Sequence, residues 1–152
     1  MDTYVKQFNE LTTDELYDIL ELRVSVFVVE QQCAYPELDG RDRDALHVFL
    51  KEDGKIAAYL RVMDRGVESD DVSIGRVVAR DRCRGLGTAI VKEGIRQAKA
   101  VFSADRIYIE AQLYAEEFYR KLGFVRTSDV YQIDGIEHIQ MLYGAESSSN
   151  DR

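Results

Sequence analysis

One segment near the middle of the chain constrains the fold more than any other. It begins with a strand-like run, Ser73 to Ala79, and passes through a glycine-bearing loop into a helical pattern from about Gly87 to Phe102. A second strand-like run, Arg106 to Ala111, follows. In a strand–helix–strand unit this short, the two strands run parallel and the crossover is right-handed. Gly75 inside the first strand predicts a bulge.

Apolar runs and turn signals predict the rest of the sheet. Asp53-Gly54 and Asp134-Gly135 suit tight turns because both residue types tolerate positive φ. The chain is therefore expected to be an α/β (α+β) protein with a mixed, mostly antiparallel central sheet and helices on both faces. The other expected strands are Tyr4 to Phe8, His47 to Lys51, Ile56 to Met63, Phe124 to Arg126 and Glu137 to Leu142.

Capping signals predict a helix on each side of the central unit. Thr12 or Thr13 suits the N-cap of the first helix, and the helical pattern extends, with room for a break, to about Glu30. A short helix from Ala115 to Leu122 precedes Gly123, a natural C-terminal cap. Four apolar residues of the first helix repeat at helical spacing and should face the core: Leu16, Leu20, Val24 and Phe27.

Length and charge narrow the class of protein. A chain of 152 residues suits one domain, expected at residues 1–143, followed by a polar and disordered tail at residues 144–152. The net charge of −8 disfavours nucleic acid and anionic membranes as partners, and it suits a cationic small molecule or a basic peptide. The same charge could serve solubility alone. Neither a leader nor a membrane-spanning run is visible, so we expect a cytoplasmic protein.

Cysteine and histidine usage argues against metal and disulfide chemistry. Cys33 and Cys83 lie far apart and do not resemble a disulfide framework. The two histidines, His47 and His138, stand in no ligand motif, so no metal is expected.

The loop between the first strand of the central unit and its helix carries the chemistry. Gly85 and Gly87 allow close backbone approach, the helix start offers N–H groups to an anion, and three arginines add positive charge. The arginines are Arg80, Arg82 and Arg84. A Walker loop would need a lysine that is absent, and a dinucleotide fingerprint would need a third glycine where Ile90 stands. A diphosphate cradle and a plain helix cap with surface arginines both remain open from these residues alone.

Two motifs in register resemble the GNAT acetyltransferases. Arg84-Gly85-Leu86-Gly87-Thr88-Ala89 is similar to the signature whose backbone amides bind the pyrophosphate of acetyl-coenzyme A. Gln112 to Ala115 with Phe118 to Phe124 resembles the family's Asn-x-x-Ala…Tyr-x-x-x-Gly-Phe segment, with Gln112 in place of Asn. The order of elements also matches, over about residues 3–143.

A denser resemblance points to the ElaA-like branch of that family. It is carried by segments spread over the whole chain: Val26 to Gln31, Glu37 to Gly40 with Asp42, Asp44 and His47, Ala58-Tyr59, Arg61-Val62, Gly75 to Val78, Ala111-Gln112, and Asp134 to Ile136 with His138. This branch is described by family rather than by an acceptor, so it implies fold and cofactor more than substrate.

The resemblance implies direct attack of a primary amine on the acetyl thioester in a ternary complex. Acetyl-coenzyme A is the implied co-substrate, and a bulge near Gly75 would splay the parallel pair and open a cleft for its pantetheine arm. The arm would lie along Val77, Val78 and Ala79, with a backbone N–H near Val78 polarising the thioester carbonyl. The diphosphate would lie on residues 84–89. The implied cofactor-binding set is Val77, Val78, Ala79, Arg84, Gly85, Leu86, Gly87, Thr88, Ala89 and Gln112.

The catalytic assignments differ in how far the motif supports them. Tyr119 matches the family tyrosine that protonates the departing thiolate, and a packing role beside Phe118 is the alternative. The resemblance does not assign the general base, because the strand position that carries a glutamate in several branches of the family has no carboxylate in this chain. Glu110 is the candidate base, or a solvated carboxylate, while Glu30 and His47 are expected on the acceptor side. For His47 a structural role is the alternative.

The remaining charged residues leave two questions open. Arg61 and Arg76 lie inside strand patterns, so each should meet a carboxylate or a substrate anion. The acidic run from Glu37 to Asp44 could attract a cationic acceptor or pair with itself. The expected activity is acetylation of a small-molecule or peptide amine, and the alternative is an acyl-coenzyme A sensor without turnover. Many proteins of this fold form homodimers, and these residues do not favour either state.

Overall fold

A computed structural model describes residues 1–82 and 84–144 of the chain. The predicted tail therefore lies, apart from Gly144, outside the described residues, as does Cys83. The helices are α1 (Thr13–Arg23), α2 (Leu86–Phe102) and α3 (Glu116–Lys121), and a π-helical segment, Val24–Glu30, continues α1. The strands are β1 (Asp2–Gln7), β2 (Ala45–Glu52), β3 (Lys55–Met63), β4 (Val72–Ala79), β5 (Ile107–Gln112), β6 (Phe124–Arg126), β7 (Tyr131–Ile133) and β8 (Ile136–Tyr143).

The eight strands of the described residues form one sheet in the order β1-β2-β3-β4-β5-β8-β6, with β7 also paired to β8. Every neighbouring pair is antiparallel except β4 and β5, which are parallel. The predicted mixed sheet is confirmed. Strand β7, which the sequence did not predict, forms a hairpin with β8 through Asp134 and Gly135, both at positive φ.

Two hydrophobic clusters lie on opposite faces of this sheet. The larger lies under α2 and α3 and includes Ile90, Ile95, Ile107 and Tyr119. The smaller lies under α1 and includes Ile19, Phe49, Tyr59 and Val78. Helices on both faces are therefore confirmed, and each face has its own core.

The buried face of α1 differs from the prediction. Leu16, Leu20, Val24 and Phe27 are half-buried, whereas the fully covered residues of the helix are Glu15, Ile19, Leu22 and Arg23. Thr12 is the N-cap and forms a capping box with Glu15, whose carboxylate also binds Lys6 and Lys51. The prediction is therefore wrong for Leu16, Leu20 and Val24, while Phe27 packs against the smaller cluster as expected. A hydrophobic pattern misses the buried face because it counts Glu15 and Arg23 as exposed.

A bulge in β4 separates the parallel pair. Tyr59 pairs with Val78 and Arg61 with Gly75, so one residue of β3 faces two residues of β4. The residue in the left-handed region is Arg76, with φ of 54°, rather than Gly75. The bulge was predicted correctly, but its strain falls on an arginine, where a left-handed backbone costs roughly 1–3 kcal/mol.

Beyond the bulge, β4 and β5 diverge. Among the described residues, their pairing is confined to Val72 with Ile107 and Ser73 with Tyr108. The opening between residues 74–79 of β4 and 109–112 of β5 is called the β4–β5 gap below.

Arg61 and Arg76 meet carboxylates that come from the loop before β2. With Arg23 they form an ion cluster of three arginines and three carboxylates: Arg23, Glu37, Asp39, Asp42, Arg61 and Arg76. It is called the buried ion cluster below because four members are buried, while Asp39 and Arg76 lie at its edge and are partly exposed. Arg23 and Arg61 are 0% and 1% exposed, so water contributes little to their solvation. The pairing of both strand arginines is thus explained. Three acidic residues of this loop, Glu37, Asp39 and Asp42, are engaged in the cluster rather than free for an acceptor, whereas Asp44 is exposed and lies outside it. No helix of the described ranges is long and apolar enough to span a membrane.

Candidate active site

A cavity of about 190 Å³ lies in the β4–β5 gap and is lined from both faces of the sheet. From the face under α2 and α3 come Ile109, Ala111 and Tyr119. From the opposite face come residues of β5, β8 and the loop after the π-helical segment, among them Gln31, Tyr35, Glu110, Gln112 and His138. A ligand that enters on one face can therefore meet a ligand that enters on the other.

Tyr119 reaches this cavity from α3. Its ring packs edge-on against Phe118 and Phe124, at centroid distances of 5.0 and 5.7 Å, and 9% of the residue stays exposed. Within the described part of the chain, no group forms a hydrogen bond with its hydroxyl, so that proton is available to a ligand. Burial, with a smaller effect of Tyr114, raises the pKa of Tyr119 above its usual range. The side chain is therefore a proton donor and not a base at neutral pH.

The opposite wall carries polar side chains of β5 and β8, and a tyrosine of β7 lies next to them. Gln112 pairs with His138 across β5 and β8, and Tyr131 of β7 pairs with the same histidine from the other side. The Tyr131 hydroxyl donates to Glu110 Oε2 at 2.7 Å. Burial and this carboxylate raise the pKa of Tyr131 well above its usual range, so it stays a donor.

Gln112 is held by a second glutamine. Its Nε2 donates to Gln31 Oε1 at 3.1 Å, and Gln31 Nε2 lies 3.4 Å from Gln112 Oε1. The end of the π-helical segment is thereby tied to the end of β5, and the position that resembles the family asparagine lies at the cavity.

Two residues expected on the acceptor side lie elsewhere. Glu30 forms an ion pair with Arg82 in the loop before α2 and does not line the cavity. His47 is 0% exposed: Tyr59 donates its hydroxyl proton to Nδ1 at 2.7 Å, and Nε2 donates to the Asp42 carbonyl oxygen at 2.8 Å. A side chain with no exposed surface cannot contact an acceptor, so the structural reading of His47 replaces the expected one.

This burial predicts how stability depends on pH. Desolvation lowers the pKa of His47, so the folded protein keeps the ring neutral while the unfolded chain takes up a proton below about pH 6.5. The free energy of unfolding should therefore fall as pH falls from 7 to 5, with a slope from His47 of up to about 1.4 kcal/mol per pH unit. Urea unfolding of the wild type and His47→Gln measures this, and an equal slope in both would contradict it.

The start of α2 fits an anionic diphosphate. Gly85 is the N-cap in the left-handed conformation, and it has no side chain that would compete for the first N–H groups of the 17-residue helix. Leu86, Gly87, Thr88 and Ala89 form the first turn, and a Cβ atom at Gly87 would lie 3.4 Å from the Phe118 ring. A helix start with open N–H groups and close backbone access binds phosphate well.

The arginines of this loop already have partners. Arg84 binds Glu52 through both terminal nitrogens, at 2.8 and 2.7 Å, and Arg82 binds Glu30. Arg80 donates through Nε to the Ile56 carbonyl oxygen at 2.9 Å. An incoming phosphate must therefore exchange with carboxylates at two of these three positions.

The backbone of β4 next to the gap has groups without a strand partner. Arg80 N–H donates to the Ala57 carbonyl oxygen at 2.8 Å. Because N–H groups alternate in direction along an antiparallel ladder, the N–H of Val78 also faces β3, while those of Val77 and Ala79 face the gap. An N–H donor near Val78, as the resemblance implies, would therefore be that of Val77 or Ala79.

Several cavity residues were not expected from the sequence. Gln31 and His138 belong to segments that resemble the ElaA-like branch, and that resemblance was their only signal. Tyr35 lies in a loop without periodicity and donates its hydroxyl proton to Glu37. Residues 1–82 and 84–144 contain no group of three acidic, histidine or cysteine side chains placed to hold a metal ion.

Comparison with protein-family models identifies an acetyltransferase (GNAT) domain over residues 12–144. A UPF0039 protein of Schizosaccharomyces pombe is 41% identical over 140 residues, which cover 90% of this chain and 92% of that relative. Protein ElaA of Escherichia coli is 34% identical over 137 residues, which cover 88% and 90%.

Comparison with solved structures supports the same family. An acyl-CoA N-acyltransferase from Pseudomonas aeruginosa superposes with a TM-score of 0.87 at 38% identity, covering 94% of this chain and 99% of the other. Escherichia coli ElaA superposes with the same TM-score of 0.87 at 30% identity, covering 93% and 98%. The gap between the parallel strands, the open start of α2 and the tyrosine of α3 thus occur in a chain that belongs to the GNAT acetyltransferase family, close to ElaA.

Proposed function

We propose that the protein transfers an acetyl group from acetyl-coenzyme A to a primary amine, on a small molecule or a peptide, by direct attack in a ternary complex. The observation that carries the proposal is the cavity in the β4–β5 gap, which joins the two faces of the sheet. The thioester would approach along β4 from the α2 start, and the amine would approach from the face that carries Glu110.

The proposal assigns residues to coenzyme binding, to oxyanion stabilisation and to protonation of the leaving group. The open N–H groups of residues 86–88, with Arg82 and Arg84, would hold the diphosphate. Val77 and Ala79 would pair with the pantetheine arm through their backbone, and one of their N–H groups would stabilise the oxyanion. Tyr119 would protonate the departing thiolate.

Glu110 was expected as the base, and its position at the cavity suits contact with an amine. One of its oxygens, however, accepts a proton from Tyr131 at 2.7 Å. An exposed carboxylate held in this way is well placed to bind the ammonium form of the acceptor, which suits the choice of a cationic substrate.

Calorimetric titration tests the first half of this proposal. We expect micromolar binding of acetyl-coenzyme A and of coenzyme A, and no binding of NADH. Arg84→Ala should weaken coenzyme binding about tenfold, since a charge-assisted phosphate contact is lost, whereas Arg96→Ala on the far part of α2 should leave it unchanged. Equal affinities of both variants and the wild type for coenzyme A would contradict the proposed diphosphate site.

Turnover tests the second half. Thiol release from acetyl-coenzyme A is measured with spermidine, kanamycin and a lysine-containing peptide as acceptors. Acetylation of any of them supports the transferase. Tight coenzyme binding without acetylation of any amine would favour a sensor of acyl-coenzyme A.

A further inference from the structure

One imidazole faces the cavity with a nitrogen free to accept a proton. His138 lies half-buried on β8, between Gln112 of β5 and Tyr131 of β7, and lines the cavity. Its Nδ1 lies 2.8 Å from the Ile136 carbonyl oxygen. Because a carbonyl oxygen only accepts, Nδ1 carries the proton of the neutral ring and Nε2 has an open lone pair. Within residues 1–82 and 84–144, no protein group forms a hydrogen bond with that Nε2.

The other candidates for a base are engaged. Glu110 accepts from Tyr131, Glu30 is paired with Arg82, and His47 is enclosed with both ring nitrogens bonded. His138 is therefore the one cavity-lining imidazole of the described residues, and imidazole exchanges protons more readily near neutral pH than other side chains.

Charged and titratable groups from every neighbouring element line the cavity that this ring faces or lie next to the ring. The sheet contributes Arg76 from β4, Glu110 from β5, Tyr131 from β7 and Asp134 from the turn before β8. The helices and the loop before β2 contribute Cys33, Tyr35, Tyr114 and Tyr119. The charge of Arg76 is balanced by Glu37 and Asp39, so the uncompensated charges at the cavity are the carboxylates of Glu110 and Asp134. They favour an ammonium group beside His138.

We propose that His138 is the general base of the acetyl transfer, taking the proton that the acceptor amine loses as it attacks. This inference rests on the function proposed above. Glu110, held by Tyr131, would position the ammonium group and not remove its proton.

The proton and electron pairs balance within the site. An ammonium acceptor first loses one proton to water. The nitrogen lone pair of the neutral amine then forms the bond to the acetyl carbon, and the carbon–sulfur bond breaks with its electron pair on sulfur. His138 Nε2 takes the second proton from nitrogen, and Tyr119 gives its phenolic proton to the thiolate. Both residues then return to their starting forms through water.

His138→Gln is the decisive variant, because an amide can still donate to the Ile136 carbonyl but cannot take up a proton. With saturating acetyl-coenzyme A and the amine that the wild type acetylates, kcat/KM should fall about 10²- to 10⁴-fold while the Kd for acetyl-coenzyme A stays unchanged. The wild-type rate should show an acidic limb steeper than protonation of the acceptor amine alone produces, and this limb should be absent in the variant. Imidazole in the buffer should partly restore the rate of His138→Ala.

Two matched variants separate this role from the alternatives. Glu110→Gln should raise KM for the amine and keep the acidic limb. Glu137→Gln, beside His138 on β8 but on the other face, should leave the kinetics unchanged. Loss of the acidic limb in Glu110→Gln, with the limb retained in His138→Gln, would assign the base to Glu110 and overturn the proposal.

A measurement that needs no acceptor tests whether the neutral ring of His138 has its open lone pair at Nε2. The chain has two histidines, so nitrogen-15 labelling gives two imidazole spectra to assign. The neutral ring of His138 should be protonated at Nδ1, and acetyl-coenzyme A should shift its signals more than those of His47. Protonation at Nε2 would overturn the proposal.

The inference and the proposed function fail differently. If the wild type acetylates an amine and His138→Gln does so at the same rate, His138 is not the base, and the proposed acetyl transfer stands. If the protein binds the coenzyme but acetylates no amine, the proposed transferase activity and the assignment of the base are both wrong.

Discussion

Replacing Tyr119 by phenylalanine should lower kcat about 10²- to 10⁴-fold, because in the proposed reaction the departing thiolate loses its proton donor. The ring packs on Phe118 and Phe124 through carbon atoms, and the hydroxyl has no hydrogen-bond partner among the described residues. The substitution should therefore change the free energy of unfolding by less than about 0.5 kcal/mol. Affinity for acetyl-coenzyme A should also be nearly unchanged. Steady-state kinetics with the acetylated amine, calorimetry and urea unfolding measure the three quantities.

Tyr143→Phe is the matched control for this prediction. Tyr143 packs against the same Phe124, at 5.6 Å, and its hydroxyl contacts Lys99 and not the cavity. It should retain full kcat. A Tyr119→Phe enzyme with wild-type kcat would mean that Tyr119 serves packing alone.

Replacing Asp42 by asparagine should destabilise the fold by about 3–5 kcal/mol, a large part of the stability of an ordinary domain. One oxygen of Asp42 accepts from Arg23 Nη1 and Arg61 Nη1, each at 2.8 Å. These guanidinium groups hold the pKa of Asp42 below its usual range despite its burial. Without this carboxylate, three arginines of the buried ion cluster face two carboxylates, and one buried positive charge is uncompensated.

Urea unfolding at pH 7 tests this expectation. Asp44→Asn is the control, because Asp44 lies in the same helical turn but is exposed, and it should cost less than about 0.5 kcal/mol. If Asp42→Asn lies within about 1 kcal/mol of the wild type, water or a neighbour compensates the charge and the cluster contributes little.

Those parts of the fold that depend on local signals could be predicted from the sequence. The Asp-Gly turns, the cap at Thr12 and the strand–helix–strand unit each act over a few residues, and the structure contains all of them. The errors arise where a partner is distant. Arg23 can be buried because its charge is paired with Asp42, which lies 19 residues away in the sequence. No periodic pattern of hydrophobic residues reveals such a pair.

The candidate site shows the same division. The glycine loop and Tyr119 were found through motifs with fixed spacing, and Glu110 through its face on β5. His47 was misplaced because burial between Tyr59 and Asp42 depends on the packing of three elements. Strand β7, with only Tyr131 to Ile133, is too short to show alternation, so the contact that it makes with Glu110 could not be foreseen.

The extra residue of β4 determines which changes in chain length the protein can accept. Ile74 lies in the core under α2 and Val78 in the core under α1, although four residues of a regular strand would return to the same face. Deleting one residue between them would restore the regular ladder, in which residues three apart face opposite sides. Both side chains would then keep their cores, but the bulge that separates β4 from β5 would be lost. Substitutions at Arg76 should therefore disturb the β4–β5 gap less than its deletion. The opening between the parallel strands is maintained by the number of residues in β4 more than by their chemical identity.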